Sequence, residues 1–281
     1  MKKSFWIIAA MAGVLFTACE NGDRDFPDFK YSAVYFAYQS PIRTITLGED
    51  PSVDNSLDNK HKCQIMATIA GVYENKKNVE IGIRVDNSLC DGYTFESTKG
   101  DIMPLPTSHY TLSDDKIVIK KGQVLGGVTV NLTDAFFNDP KATELNYVIP
   151  VVMTGVQNAD SILEGKPSVD TPDRVNKEDW EVQSKDYILY AVKYISKYDS
   201  HYLRRGVDTY TGNKTGTEVR HAANVEKDET IGGFSTLGLN KVQWERPTKD
   251  AAGKNVEANL ILTFDESGNC VITSNTEGVE A

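Results

Sequence analysis

Three aromatic side chains in the C-terminal third are the residues best suited to contact a ligand. Tyr202 and Tyr210 lie in a polar stretch with Arg204 and Arg205, and Trp244 follows about thirty residues later. Sugar rings present flat patches of C–H that stack on phenol or indole rings, while polar neighbours bind the hydroxyl groups. Packing inside a core is the more frequent use of aromatic residues, and it stands as the alternative. We therefore name Tyr202, Tyr210 and Trp244 as candidate ligand-binding residues.

Residues that could form a catalytic or metal centre are scattered along the chain. None of the histidines belongs to a His-Glu-x-x-His or Cys-x-x-Cys pattern, and the glycine-flanked serine and the glycine-rich phosphate loop are missing. Asp50, Asp54 and Asp58 form an oxygen-rich loop without a calcium-binding register, so we expect a solvated loop. Acids are too abundant for a glycosidase pair to be chosen from spacing. The sequence predicts no catalytic residue, no metal and no cofactor, and a hydrolase with dispersed acids is the minor alternative.

Cys19 closes a short apolar segment that follows Lys2 and Lys3 and ends on Ala18. This segment is too short to span a bilayer and has the form of an export signal. A cysteine directly after a small residue resembles the bacterial lipobox, in which that cysteine becomes the acylated first residue of the mature protein. We predict a lipoprotein signal peptide at 1–18, lipidation at Cys19 and an acidic tether at 19–27. A plain secretory signal is the alternative.

Three other cysteines, Cys63, Cys90 and Cys270, remain in the exported chain. An odd number in an oxidising compartment permits at most one internal bridge and leaves one thiol over. Cys63 and Cys90 lie in or beside neighbouring predicted strands, so a disulfide between them is one alternative. The other is that all three are small buried apolar residues.

The chain is acidic. Its 281 residues carry a formal net charge of −10, and removal of residues 1–18 discards two lysines and no acid, which gives −12. Without a stripe of Lys and Arg, nucleic acid is excluded as a partner, and a polyanionic substrate would be repelled. A neutral ligand fits this charge better.

The dominant period of the apolar residues is two, which is typical of half-buried strands. Between residues 28 and 163 we predict seven strands, at 33–38, 42–47, 62–69, 79–85, 117–119, 128–132 and 145–153. Strands of this number and spacing, separated by turn residues, predict an all-β, immunoglobulin-like β-sandwich. Pro150 interrupts the last strand, so we expect that strand to be an edge or to carry a bulge.

A stretch rich in charge and proline, at 164–183, predicts a linker. Strand patterns return from 184 to 281, beginning with Tyr187 to Ile195, and predict a second all-β domain, a small barrel or a meander. The number of strands is marginal for closing a barrel. Either the barrel is open, or a C-terminal strand or two is missing.

Two parts of the chain resemble known domains. Val34-Tyr35-Phe36, Arg43 to Gly48, Tyr110-Thr-Leu-Ser, Ile119-Lys-Lys-Gly122 and Leu145 to Pro150 resemble an immunoglobulin-like domain of unknown function, family 1735. That domain is found at the N-terminus of Bacteroidetes-type surface lipoproteins encoded in polysaccharide-utilisation loci. The second part of the chain, from Asp186 through Tyr198-Asp-Ser-His-Tyr-Leu-Arg-Arg-Gly206, resembles the lipocalin-like C-terminal domain that accompanies it.

The resemblance implies a non-catalytic, glycan-binding accessory at the cell surface. Its implied partners are outer-membrane lipid, through acylated Cys19, a neutral oligo- or polysaccharide, and an outer-membrane transporter complex. The large barrel that supplies catalysis in some relatives is absent from this sequence, which argues against an enzyme. The alternative is an adhesin or a structural partner of an outer-membrane receptor complex. No ligand residue follows from the resemblance.

Overall fold

The computed structural model describes residues 29–212, 215–249 and 254–279. The predicted signal peptide, Cys19 and the tether lie outside these residues. In the described part of the chain, no helix is long and apolar enough to cross a membrane.

Residues 29–195 contain thirteen strands and one short α-helix, α1 (Asp134–Phe137). The strands are β1 (Ala33–Tyr35), β2 (Ile42–Thr46), β3 (Lys62–Ala70), β4 (Val79–Val85), β5 (Met103–Pro104), β6 (Tyr110–Leu112), β7 (Lys116–Ile119), β8 (Leu125–Leu132), β9 (Tyr147–Gln157), β10 (Ser161–Ile162), β11 (Lys166–Pro167), β12 (Trp180–Val182) and β13 (Tyr187–Ile195). All seven predicted strands are present.

Two sheets pack face to face in this part, with strand orders β10-β1-β3-β8-β6 and β2-β13-β9-β4-β7. Alternate residues of each strand point into the space between the sheets. On β3, for example, Cys63, Ile65 and Ala67 are buried and Gln64 and Met66 are exposed. The all-β sandwich predicted from the period of two is confirmed.

Strand β13 corrects the predicted domain boundary. The pattern assigned Tyr187 to Ile195 to a second domain, but the strand lies inside the first, parallel to β2 and antiparallel to β9. Its residues alternate between two apolar clusters: Ile188 and Tyr190 face the space between the sheets, and Leu189 and Ala191 face outward. A strand buried on both faces needs a cover on each side. The first part of the chain supplies both covers.

The predicted linker at 164–183 forms part of the outer cover. Arg174 makes an ion pair with buried Asp186 at 3.0 Å, and Trp180 Nε1 donates to Asp173 O at 2.7 Å. Together with residues 87–102, this segment lies over the outward face of β9 and β13. The segment is therefore a folded layer on the sandwich, and the linker interpretation was wrong.

Cys63 and Cys90 are free thiols in this structure, as is Cys270. Cys63 lies in the apolar cluster between the two sheets, whereas Cys90 lies in the cluster on the outward face of β9 and β13. A whole sheet separates the two sulfur atoms. The alternative of a Cys63–Cys90 disulfide was wrong. Cys63 lies on the inner side of the sheet that contains β9 and β13, and Cys90 lies on its outer side.

Pro150 lies in β9, which runs between β13 and β4 and is not an edge strand. Its carbonyl accepts from the backbone N–H of Asp86 at 2.9 Å, just beyond the end of β4. In an antiparallel pair the N–H and C=O of one residue point to the same side, so the missing donor of the proline also faces Asp86. Only the last backbone hydrogen bond between β9 and β4 is lost. The bulge that was predicted as the other possibility is present in β9: Gly82 of β4 pairs with Gly155 and Ile83 pairs with Met153, which leaves Thr154 as the extra residue.

The second part of the chain contains β14 (Tyr202–Arg204), β15 (Gly206–Tyr210), β16 (Gly216–Arg220), β17 (Glu229–Ile231), β18 (Phe234–Gly238), β19 (Lys241–Lys249), β20 (Asn255–Phe264) and β21 (Cys270–Ser274). Strands β18 to β21 form an antiparallel sheet in chain order, and β14-β17 and β15-β16 form two ribbons. This arrangement is the meander that the sequence analysis offered beside a barrel.

Two hydrogen bonds of buried Ser196 join the parts. Its backbone N–H donates to Thr236 Oγ1 at 2.9 Å, and its hydroxyl donates to Leu239 O at 2.7 Å. The hairpin of β18 and β19 is thereby tied to the end of β13, directly after the sandwich. This hairpin also carries Trp244, one of the three candidate ligand-binding residues.

Candidate functional site

Three rings in the second part form a continuous row. Tyr202 meets Phe234 edge to face, with ring centroids 5.0 Å apart, and Phe234 stacks on Trp244 at 5.4 Å with 12° between the planes. The guanidinium of Arg246 lies over the other side of Trp244, 5.1 Å from the ring centroid. We call Tyr202, Phe234 and Trp244 the aromatic row. It brings together two of the three candidate residues.

The hairpin of β18 and β19 positions the row. Phe234 and Trp244 are directly opposite each other in the register of this pair, so their side chains leave the sheet on the same face. Phe234 was not among the predicted site residues, because a register shift between Thr236 and Gly238 moves the pairing by one residue and the turn alone would place Ser235 opposite Trp244.

Hydrogen bonds hold the outer two rings of the row in place. Trp244 Nε1 donates to Gly232 O at 3.1 Å, and the Tyr202 hydroxyl donates to Tyr198 O at 2.7 Å. Trp244 is half-buried, whereas Tyr202 keeps 37% of its surface exposed. The row is thus a fixed platform that solvent reaches chiefly at Tyr202.

A polar network lies beside the aromatic row. Arg204 follows Tyr202 by two residues on β14, which puts both side chains on one face of the ribbon. Arg204 contacts Asp208 at 3.1 Å and Glu229 at 3.6 Å, and Arg220 pairs with the same two carboxylates. We call Arg204, Asp208, Arg220 and Glu229 the polar network. Its two cations balance its two anions, and Glu218, 3.6 Å from Arg220, adds a further anion at the edge.

The guanidinium of Arg220 has the largest effect on the pKa of the Asp208 carboxyl. By donating a hydrogen bond it lowers the pKa of this carboxyl, against a smaller opposing effect of desolvation. Asp208 therefore stays ionised at neutral pH, as the charge balance of the polar network requires.

Tyr210 lies apart from the aromatic row. Its hydroxyl donates to Glu218 Oε2 at 2.8 Å, and this hydrogen bond to a carboxylate raises the pKa of the phenol. The same hydroxyl is 3.5 Å from Asp208 Oδ2. The structure thus assigns Tyr210 to the edge of the polar network, and it separates the third candidate residue from the other two.

The oxygen-rich loop is held by its own backbone. Buried Asp58 accepts from Thr46 N–H at 2.9 Å and pairs with Arg43, and the Asn55 amide donates to Gly48 O at 2.8 Å. Within the described residues, no group of three or more His, Cys, Asp or Glu side chains could hold a metal ion. The acids in this loop therefore have structural partners.

Ser108, His109 and Asp139 form a chain of hydrogen bonds that the sequence did not reveal. Ser108 Oγ lies 3.0 Å from His109 Nδ1, and His109 Nε2 lies 3.1 Å from Asp139 Oδ2, which also accepts from the Tyr147 hydroxyl at 2.6 Å. A hydrolytic serine also needs free backbone donors for an oxyanion. The N–H groups of His109 and Thr133 are bonded, to Pro106 O and His109 O. This cluster fastens the turn before β6 to the start of β9.

Comparisons with known proteins divide the chain at the same place as the structure. A family model described as a "-like, N-terminal domain" matches residues 29–160, and a model described as a domain of unknown function, DUF5627, matches residues 197–281. No curated protein matches the chain.

A protein of unknown function from Bacteroides ovatus, whose crystal structure has been solved, has 45% sequence identity to this chain. The match covers 90% of this chain and 80% of that one, with a TM-score of 0.83. The chain belongs to the family of this protein. This likeness agrees with the all-β fold that the sequence predicts. Membership of family 1735 and the link to polysaccharide-utilisation loci stay predictions.

Two other structures resemble the fold of this family only weakly. One is a multidomain protein including DUF1735 from Bacteroides ovatus, at 12% identity over 88% of this chain and 72% of that one, with a TM-score of 0.43. The other is an auxiliary nutrient binding protein from Bacteroides thetaiotaomicron, at 11% identity over 86% and 74%, with a TM-score of 0.38. Likenesses of this strength do not transfer a function.

Proposed function

We propose that this protein is a non-catalytic, glycan-binding lipoprotein of the cell surface, and that the aromatic row is its binding platform. The observation that carries the proposal is the row itself, with Tyr202 37% exposed at one end and Trp244 stacked on Phe234 behind it. A pyranose ring can stack on Tyr202 while its hydroxyl groups bind the polar network. Because Arg204 and Arg220 are already paired with carboxylates, Glu218 adds negative charge and the chain is acidic, an anionic sugar would be repelled and the sugar is neutral.

The proposed location rests on the sequence motif at Cys19. Acylation at this cysteine would hold the folded part on the outer membrane, and the acidic residues 20–25 would serve as a solvated tether. On this proposal the protein captures oligo- or polysaccharide outside the cell and works beside an outer-membrane transporter complex.

Affinity electrophoresis tests the binding function. The chain from Asp25 onward retains every described residue and is run through gels that contain single neutral polysaccharides. We expect retardation in one of them, and Tyr202→Ala should weaken it about 3- to 10-fold, as loss of one aromatic contact implies. The matched control is Tyr38→Ala, which removes a tyrosine that is 77% exposed on the sandwich.

The proposal is wrong if the folded protein migrates uniformly in all gels. It is also wrong in its choice of site if Tyr38→Ala abolishes the retardation while Tyr202→Ala leaves it unchanged. Circular dichroism of each variant confirms that it is folded.

A second candidate function is docking to a protein of an outer-membrane receptor complex. Strand β21 pairs with β20 on one side only among the described residues, and its Val271 and Ile272 are 64% and 42% exposed. An unpaired strand edge can accept a strand from another chain. If this is the function, a receptor should copurify with the protein from native membranes, and Val271→Lys should abolish copurification without affecting glycan retardation.

A further inference from the structure

A cavity of about 630 Å³ lies on the outward face of the sandwich, well away in sequence from the aromatic row. Its floor is the sheet surface of β9 and β13, and its walls are the segments 87–102 and 164–183. Its apolar lining is formed chiefly by Phe95, Ile102, Val148, Val175, Leu189 and Ala191. These residues belong to the apolar cluster that covers the outer face of the sheet.

Hydrogen bonds fasten the two walls to each other. The Tyr93 hydroxyl, from the first wall, donates to Asp173 Oδ2 of the second wall at 2.8 Å. Trp180 Nε1 donates to the carbonyl of the same Asp173, and Ile102 N–H donates to Tyr93 O at 2.9 Å. Burial, together with the hydrogen bond to Asp173, raises the pKa of Tyr93 to about 12, so the phenol remains a donor at neutral pH. The cavity is therefore held open before any ligand arrives.

The charges on the lining indicate what the cavity can accept. Its two charged residues, Glu96 and Lys177, have opposite signs, and both are exposed at the mouth. The hydroxyl groups of Ser40, Thr94 and Ser97 are exposed as well. An ionised group placed on the apolar floor would lose its hydration without gaining a partner. The interior therefore selects against ions, and the mouth can bind a polar edge.

We infer that this cavity binds a small uncharged molecule with an apolar body of about one or two rings and a polar edge at the mouth. The volume falls within the range of small-molecule sites, and the combination of an apolar floor and a few polar groups at the rim is typical of them. The inference does not depend on glycan binding by the aromatic row, because no residue is shared between the two sites.

Titration with 6-propionyl-2-dimethylaminonaphthalene, an uncharged fluorescent probe with two fused rings and a polar carbonyl group, tests the inference on the chain from Asp25 onward. We expect saturable binding of one probe molecule per chain, with a micromolar Kd. Displacement of the probe by 1-octanol and by octanoate then compares an uncharged ligand with an anionic ligand of equal chain length. The alcohol should displace the probe at a concentration about tenfold lower than the carboxylate, because only the carboxylate must lose its hydration.

Two filling variants test the location. Ala191→Leu enlarges a floor residue and Ile102→Trp enlarges a wall residue, so each should weaken probe binding at least about tenfold. If one of these variants does not fold, probe binding by the other variant still tests the location. Tyr93→Phe removes the fastening between the walls and leaves the lining, and it should weaken binding about threefold through lost preorganisation. Tyr38→Ala, which changes an exposed residue that does not line the cavity, is the control and should change the Kd less than twofold.

Several outcomes would overturn the inference. They are the absence of saturable binding to the folded protein, unchanged binding in both filling variants, and loss of binding in Tyr38→Ala. Equal displacement by octanoate and 1-octanol would overturn the selection for an uncharged ligand. Light scattering completes the test: a dimer that dissociates in Ala191→Leu would show that a second copy of the chain fills the cavity.

Discussion

At the scale of the residue, Trp244 has two roles that a pair of substitutions can separate. Its indole stacks on Phe234 and donates to Gly232 O. Because the side chain is only half-buried, Trp244→Ala should lower the free energy of unfolding by about 2 kcal/mol, less than a fully buried tryptophan would cost. Trp244→Phe keeps a ring for stacking and loses the hydrogen bond, at a cost of about 1 kcal/mol.

Urea unfolding measures both variants of Trp244, and affinity electrophoresis is run on the same samples. Glycan retardation should persist in Trp244→Phe and fall in Trp244→Ala. Equal loss of retardation in the two variants would show that the hydrogen bond from the indole to Gly232 O, and not the aromatic face, is what binding requires.

Asp139 gives the stability of the sandwich a dependence on pH. Burial acts to raise the pKa of its carboxyl, but hydrogen bonds from the Tyr147 hydroxyl, the Lys141 N–H and His109 together outweigh burial and lower the pKa. A carboxyl with a lowered pKa in the folded state contributes stability above its ordinary pKa of about 4, and this contribution is lost as the pH falls through the folded value.

Substitution of Asp139 tests this dependence. We expect Asp139→Asn to lower the free energy of unfolding by about 1 to 3 kcal/mol at pH 7, because hydrogen bonds to a charged acceptor are lost. The difference from the wild type should shrink below pH 4, as measured by urea unfolding at several pH values. Asp114→Asn, an exposed acid near β7, is the control; a constant difference at every pH would contradict the assignment.

At the scale of the element, the sheet that contains β13 decides the reactivity of the thiols. It separates Cys63 from Cys90 and buries both, and desolvation raises the pKa of each thiol to about 11. Since the thiolate is the reactive species, neither should react in the folded protein. Cys270 is exposed and should react, although desolvation also raises the pKa of its thiol and should make the reaction slower than that of a free cysteine.

Titration with a thiol reagent checks this arrangement on the chain from Asp25 onward. One thiol should react in buffer and three in denaturant without reductant. If only one thiol reacts under both conditions, a disulfide links Cys63 and Cys90, and the arrangement of the sheet is wrong.

At the scale of the whole molecule, the two parts form one unit through the end of β13. Ser196 directly follows this strand and bonds to Thr236 and Leu239 of the β18–β19 hairpin, and Asp199 also accepts from the Thr236 hydroxyl at 2.8 Å. The aromatic row is therefore attached to the sandwich through the strand that also forms the floor of the cavity. Both candidate sites depend on the placement of β13.

The sequence by itself determined the all-β fold class and the seven strands of the sandwich, because a period of two records which face of each strand is buried. It also singled out Tyr202 and Trp244, since ring type is visible without a structure. It did not determine which part of the chain β13 packs with. A strand that is buried on both faces has the same residue pattern whichever layers cover those faces. Only the tertiary structure placed Leu189 and Ala191 under the segment that had been predicted as a linker, and so created the cavity. Phe234 between Tyr202 and Trp244, and the separation of Tyr210 from both, likewise depend on strand register, which is set by contacts between residues distant in sequence.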